Sequence, residues 1–255
     1  MPTPPPRQRP TPRAFAVTVI AVTVIVAVAF VAVGFVASIS AAAQDAKRAA
    51  ATAATTPSAA RKEILPVAEA RKRPAGEVVT VEGFVTVPSG LFKSGTSDEG
   101  FALQDASGGI YVRTAANLGL RLGRQVRVTG QVSDSNGQLI LLTSDARGVS
   151  ARGRAAAHTR AESVATARVN EANEGRLVRV TGTITKPVGN DLPYGYRLFI
   201  NDGSGEVQAF VYVSTGINVS NFQPGQRVGV TGFGGQYNDH YEVIPRFRTD
   251  IQRIR

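Results

Sequence analysis

The side chains with the clearest chemical potential are rings and guanidinium groups that alternate with apolar residues. Arg179, Arg197, Phe199, Phe210 and Tyr212 fall out of phase with Val178, Val180, Leu198, Ile200, Val207, Ala209 and Val211. Successive strand residues point to opposite faces, so if the apolar set fills a core, the other five share the outer surface. Phe84, Tyr111 and Arg113 hold related positions farther toward the N-terminus. Rings beside arginines suit single-stranded nucleic acid, with bases stacking on the rings and arginines meeting phosphates. The competing use of Phe199 and Phe210 is apolar, closing a barrel end or packing between domains.

Catalytic patterns are missing. There is no cysteine and there are only two histidines, His158 and His240. This excludes a cysteine nucleophile and a Cys/His zinc site. There is no G-x-S-x-G, S-x-x-K, H-E-x-x-H or Walker loop. Gly232-Phe233-Gly234-Gly235 lies between β segments, without the following helix that would present a phosphate site. No enzyme, cofactor or metal is expected. His240, in Asn238-Asp239-His240-Tyr241, reads as an exposed loop histidine before the last strand.

The elements that would position these residues occupy only part of the 255-residue chain. Residues 1–13 are Pro/Arg-rich with no acid, a composition that stays solvated. Residues 14–44 carry no charged side chain. Residues 14–40 are expected to form a transmembrane signal-anchor helix, longer than the ~7–15 residues of a signal-peptide core. Arg7, Arg9 and Arg13 precede it, which favours a cytoplasmic N-terminus and an extracytoplasmic remainder. Cleavage near Ala43 would instead release a secreted protein. Residues 41–64 read as an Ala/Thr-rich spacer.

The rest is a duplication. Gly76–Gly83 matches Gly175–Gly182, Gln104–Gly108 matches Asn201–Gly205, and Gly123–Gly130 matches Gly225–Gly232, in the same order. Two copies of a unit this long are two domains: 65–150 and 164–255, joined by a linker at 151–163. Each copy shows period-2 alternation in five short runs bounded by turn residues, with a helix-like stretch at Ala115–Leu120 in the first. That order, three strands, a connector and two strands, predicts an all-β chain of two tandem five-stranded Greek-key barrels behind one transmembrane helix.

The motifs V-x-V-x-G (Val79–Gly83), F-x-L-x-D-x-x-G-G-I-x-V (Phe101–Val112) and G-x-x-V-x-V-x-G (Gly123–Gly130) resemble bacterial OB-fold nucleic-acid-binding domains of exported and cell-envelope proteins. The second copy departs at Glu206-Val207, where the first has Gly109-Ile110. The resemblance implies an OB fold and DNA or RNA as first candidate ligand, with both barrels engaging one strand if the linker permits. The second copy holds ten aromatics against four in the first, so it is the expected binder.

Charge points less clearly. The formal +10 sits mostly outside the barrels: the first copy has nine basic and eight acidic residues, the second ten and eight. A phosphate patch would have to be local, from Arg176, Arg179, Arg197 and Arg227; Arg246, Arg248, Arg253 and Arg255 make a basic C-terminal end. The alternative function is an envelope scaffold binding a protein or glycan partner. A basic sheet face favours nucleic acid; a neutral, tyrosine-lined or interdomain-buried face favours the scaffold.

Overall fold

A computed structural model describes residues 63–93, 98–143, 146–153 and 160–255. The Pro/Arg tail, the hydrophobic segment 14–40, nearly all of the spacer and Arg154–Thr159 lie outside these residues. Among the described residues no helix is long and apolar enough to cross a membrane.

The first barrel contains a short helix α1 (Val67–Ala70) and strands β1 (Val78–Val87), β2 (Phe101–Gln104), β3 (Gly109–Arg113), β4 (Gln125–Ser135), β5 (Gln138–Leu142) and β6 (Val149–Arg152). The second contains β7 (Glu162–Ser163), β8 (Leu177–Ile184), β9 (Gly189–Asp191), β10 (Gly195–Asn201), β11 (Glu206–Tyr212), β12 (Arg227–Tyr237), β13 (His240–Ile244) and β14 (Ile251–Arg253). The first closes in the order β1-β2-β3-β5-β4, with β4 returning to β1 and with β3 and β5 parallel. The second repeats this as β8-β10-β11-β13-β12, with β12 returning to β8. This is the OB topology, twice.

Two sequence expectations are corrected. Ala115–Leu120 is not helical: Asn117 Oδ1 accepts the Gly119 amide at 2.9 Å, and Gly119 adopts φ 64°, which breaks a helix. The ends of the expected linker are strands, since β6 pairs with β4 and β7 with β8. β14 pairs with β12 as β6 does with β4, so the duplication extends to a sixth strand.

The motifs have mechanical reasons. In V-x-V-x-G the glycine lets a neighbouring carbonyl come close. A methyl at Gly83 would lie 2.7 Å from the Gln104 carbonyl oxygen, and one at Gly182 2.6 Å from that of Asn201. In D-x-S-G the polar pair holds the segment before the first strand. Val67 N donates to Asp105 Oδ2 at 2.9 Å and Ala68 N to Ser107 Oγ at 3.0 Å. Thr166 N and Ala167 N repeat this on Asp202 and Ser204, each at 3.1 Å. Val67 and Ala70 are thereby pinned into the first barrel's core.

Three apolar clusters result: one in each barrel and one between them. The third joins Val87, Phe92, Ala102, Tyr111 and Ile140 of the first barrel to Phe233 and Ile244 of the second. Polar contacts rim it. Gln104 Oε1 accepts the Leu177 amide at 2.9 Å, and Arg246 donates to the Thr86 carbonyl at 2.8 Å. Arg71 bridges Glu171 at 2.8 Å and Glu174 at 3.0 Å. At Gly109 and Gly175 the two backbones touch, and a side chain on either would overlap the other's carbonyl oxygen. The barrels are one body, not two modules on a tether.

Two stability predictions follow from these contacts. Replacing Gly109 by Ala wedges the seam apart and should cost about 1–3 kcal/mol in urea unfolding; an unchanged midpoint would contradict the seam. Asp105 responds to pH. Burial alone would raise its pKa, but the Ser107 hydroxyl and the amides of Val67, Gly108 and Ser107 outweigh it and hold the pKa below the ordinary 3.8. Its contribution is therefore complete above pH ~4 and lost as pH falls below. Asp105→Ala should cost about 1–2 kcal/mol at pH 7, as for a lost cap, and less at pH ~3.

Candidate functional site

The barrels enclose a cleft of about 800 Å³. Its floor is the outer face of β10 and β11, where Arg197 pairs across from Phe210 and where Gln208 and Tyr212 also point outward. The first barrel supplies one wall: Phe92 and Asp98 from the β1–β2 loop, Tyr111 and Arg113 from β3, and the β4–β5 hairpin from Asp134 to Gln138. The β12–β13 hairpin supplies the other wall with Gln236, Tyr237, His240 and Glu242; Asp191 and Tyr194 stand at the mouth. The two hairpins touch: Asn238 N donates to the Asn136 carbonyl at 2.6 Å.

Five of the eight sequence-predicted residues meet here: Tyr111, Arg113, Arg197, Phe210 and Tyr212. They do not form the open stacking platform that alternation implied. Tyr111 is 6% exposed and Phe210 8%. Their ring surfaces are spent on neighbours: Phe92 stacks on Tyr212 at 5.3 Å, Phe210 meets Tyr212 edge-on at 4.9 Å, and Tyr111 meets Phe233 at 6.0 Å. Phe210 is spent on its own barrel, against Tyr212 and the backbone at Gly195. Periodicity assigns a face but not what covers that face.

The other three lie elsewhere. Phe199 is half-buried under the Lys186 ammonium, 4.4 Å from its ring centre. Arg179 donates to Thr231 Oγ1 at 3.0 Å. Phe84 lines a separate shallow groove with Glu82, Gln104 and Gln125. Of the arginines of the expected phosphate patch, Arg176 donates to the Ser107 carbonyl across the seam, Arg197 lines the cleft and Arg227 is exposed on β12. In the basic C-terminal end, Arg246 is 6% exposed and paired with Asp250 at 2.9 Å.

Each cleft arginine has an acidic partner. Arg113 Nε donates to Asp98 Oδ2 at 3.2 Å and Nη2 to Ser135 Oγ at 2.8 Å. Arg197 is held loosely, 3.7 Å from Asp191 Oδ1 and 3.4 Å from the Asn190 carbonyl, and its buried Nε has no hydrogen-bond partner among the described residues. Tyr111 Oη is buried near the Asp98 carboxylate and, among the described residues, makes no hydrogen bond of good geometry. Burial, then the neighbouring Asp98 carboxylate, pushes its hydroxyl well above the ordinary tyrosine value.

Sequence reading missed Asp98, Asp191, Gln208, Glu242 and His240. His240 begins β13 rather than sitting in a loop, and His240, Glu242 and Ile244 alternate out of phase with Tyr241 and Val243. That alternation was a usable signal. The loop aspartates gave none. Glu242 is 5% exposed; Gln208 Nε2 donates to it at 2.8 Å and His240 Nε2 lies 3.9 Å away. Burial pushes its carboxyl to about 7, against the pull of Gln208 and His240 and with a further push from Asp191. Among the described residues no acidic or histidine cluster could hold a metal ion.

Glu242 fixes a pH dependence. Between about 4.5 and about 7 the folded chain keeps a proton that the unfolded chain has released. Stability therefore falls as pH rises through that window and is level above it. Glu242→Gln should remove that fall, about 3 kcal/mol, and be more stable than the parent at pH 8 in urea unfolding.

No family model and no curated protein matches the chain, so the resemblance to the bacterial domains rests on the motifs alone. Among solved structures, the p204 HINb domain is 13% identical, covering 71% of this chain and 98% of its own, with a TM-score of 0.35. A murine DNA-binding protein bound with double-stranded DNA is 11% identical over 64% of this chain and 90% of its own, with a TM-score of 0.35. The Stn1–Ten1 complex of S. pombe is 17% identical over 31% of this chain and 58% of that one, with a TM-score of 0.28. Assignment of the fold rests on the strand order, and these likenesses add nothing about ligand.

Proposed function

We propose that the chain is a non-enzymatic, tandem OB-fold binding protein whose ligand occupies the cleft between the barrels. The ligand is engaged by hydrogen bonds and ring contacts rather than by phosphate neutralisation, which favours a scaffold role with a glycan or protein partner. One observation carries this reading: Asp98 stands against Arg113 and Asp191 against Arg197, with Asp134 as an additional acid on the same walls. Affinity for a polyanion comes from unpaired cations clustered along its path. Here a phosphate approaching either arginine meets a carboxylate.

A second reading, single-stranded nucleic acid, is favoured by Arg197. Its guanidinium is loosely partnered and lies beside Phe210 and Tyr212, on the strand face where OB barrels take oligonucleotides. Fluorescence anisotropy separates the two. A labelled single-stranded oligonucleotide titrated with the full chain at low and moderate salt should bind no tighter than about 100 μM, the weak end of non-specific binding. Micromolar binding that weakens with salt and drops in Arg197→Ala would establish the nucleic-acid reading instead.

Location is part of the proposal. The uncharged stretch 14–40 behind three arginines supports an anchor with the barrels extracytoplasmic. A C-terminal reporter active in the cytoplasm would overturn it.

A further inference from the structure

We infer that the cleft is a saccharide site, one that takes a short, uncharged oligosaccharide. This rests on the cleft being the ligand site, and three observations carry it further. The first is the polar inventory. Asn136, Gln138, Gln208 and Gln236 line it with amides, groups that both donate and accept even where one N–H is already given to Glu242 (Gln208) or to the Asn238 carbonyl (Gln236), beside the Asp98 and Asp191 carboxylates that only accept. A hydroxyl donates and accepts, so a polyol can satisfy both kinds of group. A phosphate only accepts, and would leave the carboxylates facing further acceptors.

The second observation is a pair of buried groups without partners. Tyr111 Oη, on a side chain more than nine-tenths buried, and Arg197 Nε both belong to cleft-lining residues. Buried polar atoms are nearly always hydrogen-bonded. One is a hydroxyl and the other a fixed N–H donor; both are closed to solvent here, and a sugar that shifts either side chain on binding meets it with a hydroxyl, without bringing charge. Size agrees, since about 800 Å³ is within the ~300–1,000 Å³ of ligand pockets.

The third is the mouth. Tyr194, 47% exposed, comes from the β9–β10 loop, and Tyr237, 52% exposed, from the end of β12. Both line the cleft, and they are the most exposed rings of the second barrel. A tyrosine offers an apolar face and a polar tip. A pyranose has the same character, with C–H groups on its faces and hydroxyls at its edge. Nucleobases would stack on such rings too; Asp134 and Asp191, which line the same cleft, disfavour the phosphates attached to them.

The test is an array of neutral oligosaccharides (glucans, mannans, galactans and N-acetylglucosamine oligomers) with single-stranded DNA and RNA on the same surface. It is probed with the full chain and with a Tyr194→Ala/Tyr237→Ala variant. Both rings are exposed, so the variant should fold, which circular dichroism checks. The expected result is binding to at least one neutral oligosaccharide, insensitive to salt and weakened about tenfold in the variant. No saccharide binding at about 1 mM, the weak limit of useful affinity, overturns the inference. Saccharide binding equal in parent and variant overturns it as well. Salt-sensitive oligonucleotide binding that the variant loses overturns the saccharide but keeps the cleft. Oligonucleotide binding unchanged in the variant, with no saccharide bound, overturns both.

Discussion

The seam between the barrels governs everything else. OB barrels take ligands on the outer face of their second and third strands. In the first barrel that face carries Ala102, Gln104, Gly109 and Tyr111, and the second barrel covers it. The covering is tight because Gly109 and Gly175 bring two backbones into contact. Having given up its own binding face, the first barrel becomes a wall for its neighbour's. The corresponding face of the second barrel thus forms the floor of a cleft. A ligand in that cleft meets both barrels at once, through fixed walls rather than through a tether.

The one departure between the repeats now has a cause. Gly109 pairs with Gln104, and at the equivalent register Glu206 pairs with Asn201. Glu206 is exposed and is held by Lys186 at 2.5 Å and Thr185 at 2.6 Å. A side chain at 109 would instead collide with Gly175. The two copies diverged where one strand end faces solvent and the other faces a domain. They stayed alike where each barrel needs the same internal mechanics, in the V-x-V-x-G glycines and the D-x-S-G pair.

Local rules account for what could be read from the chain. Alternation located the five barrel strands of the first copy and, in the second, the apolar set Val178–Val211, because burial inside a barrel leaves a period-2 trace. The same rule brought together Tyr111, Arg113, Arg197, Phe210 and Tyr212 as outward residues. It could not say that another barrel lies on that outward face, since the partners of Tyr212 and Tyr111 are Phe92 in a loop and Phe233 more than a hundred residues away. The basic C-terminal end misled for a related reason. A one-dimensional charge count treats Arg246 as solvated, whereas Asp250 and the Thr86 carbonyl draw it inside.

The two acids that face the cleft arginines lie outside the barrel strands. Asp98 belongs to the β1–β2 loop, and Asp191 ends β9 in the connection between β8 and β10, the same loop of the duplicated unit. Each neutralises an arginine on a barrel strand: Arg113 on β3 and Arg197 on β10. Without the two aspartates the same strands would present unpaired guanidinium groups beside aromatic rings, the surface expected of a single-strand binder. With them, each guanidinium group stands beside a carboxylate that offsets its charge, so its attraction for an anion is weakened in a partly enclosed site where charge interactions are stronger than in water. One loop of each barrel thus sets the charge of the cleft arginines' surroundings, and the barrel strands, which carry the recognisable motifs, are compatible with more than one ligand class.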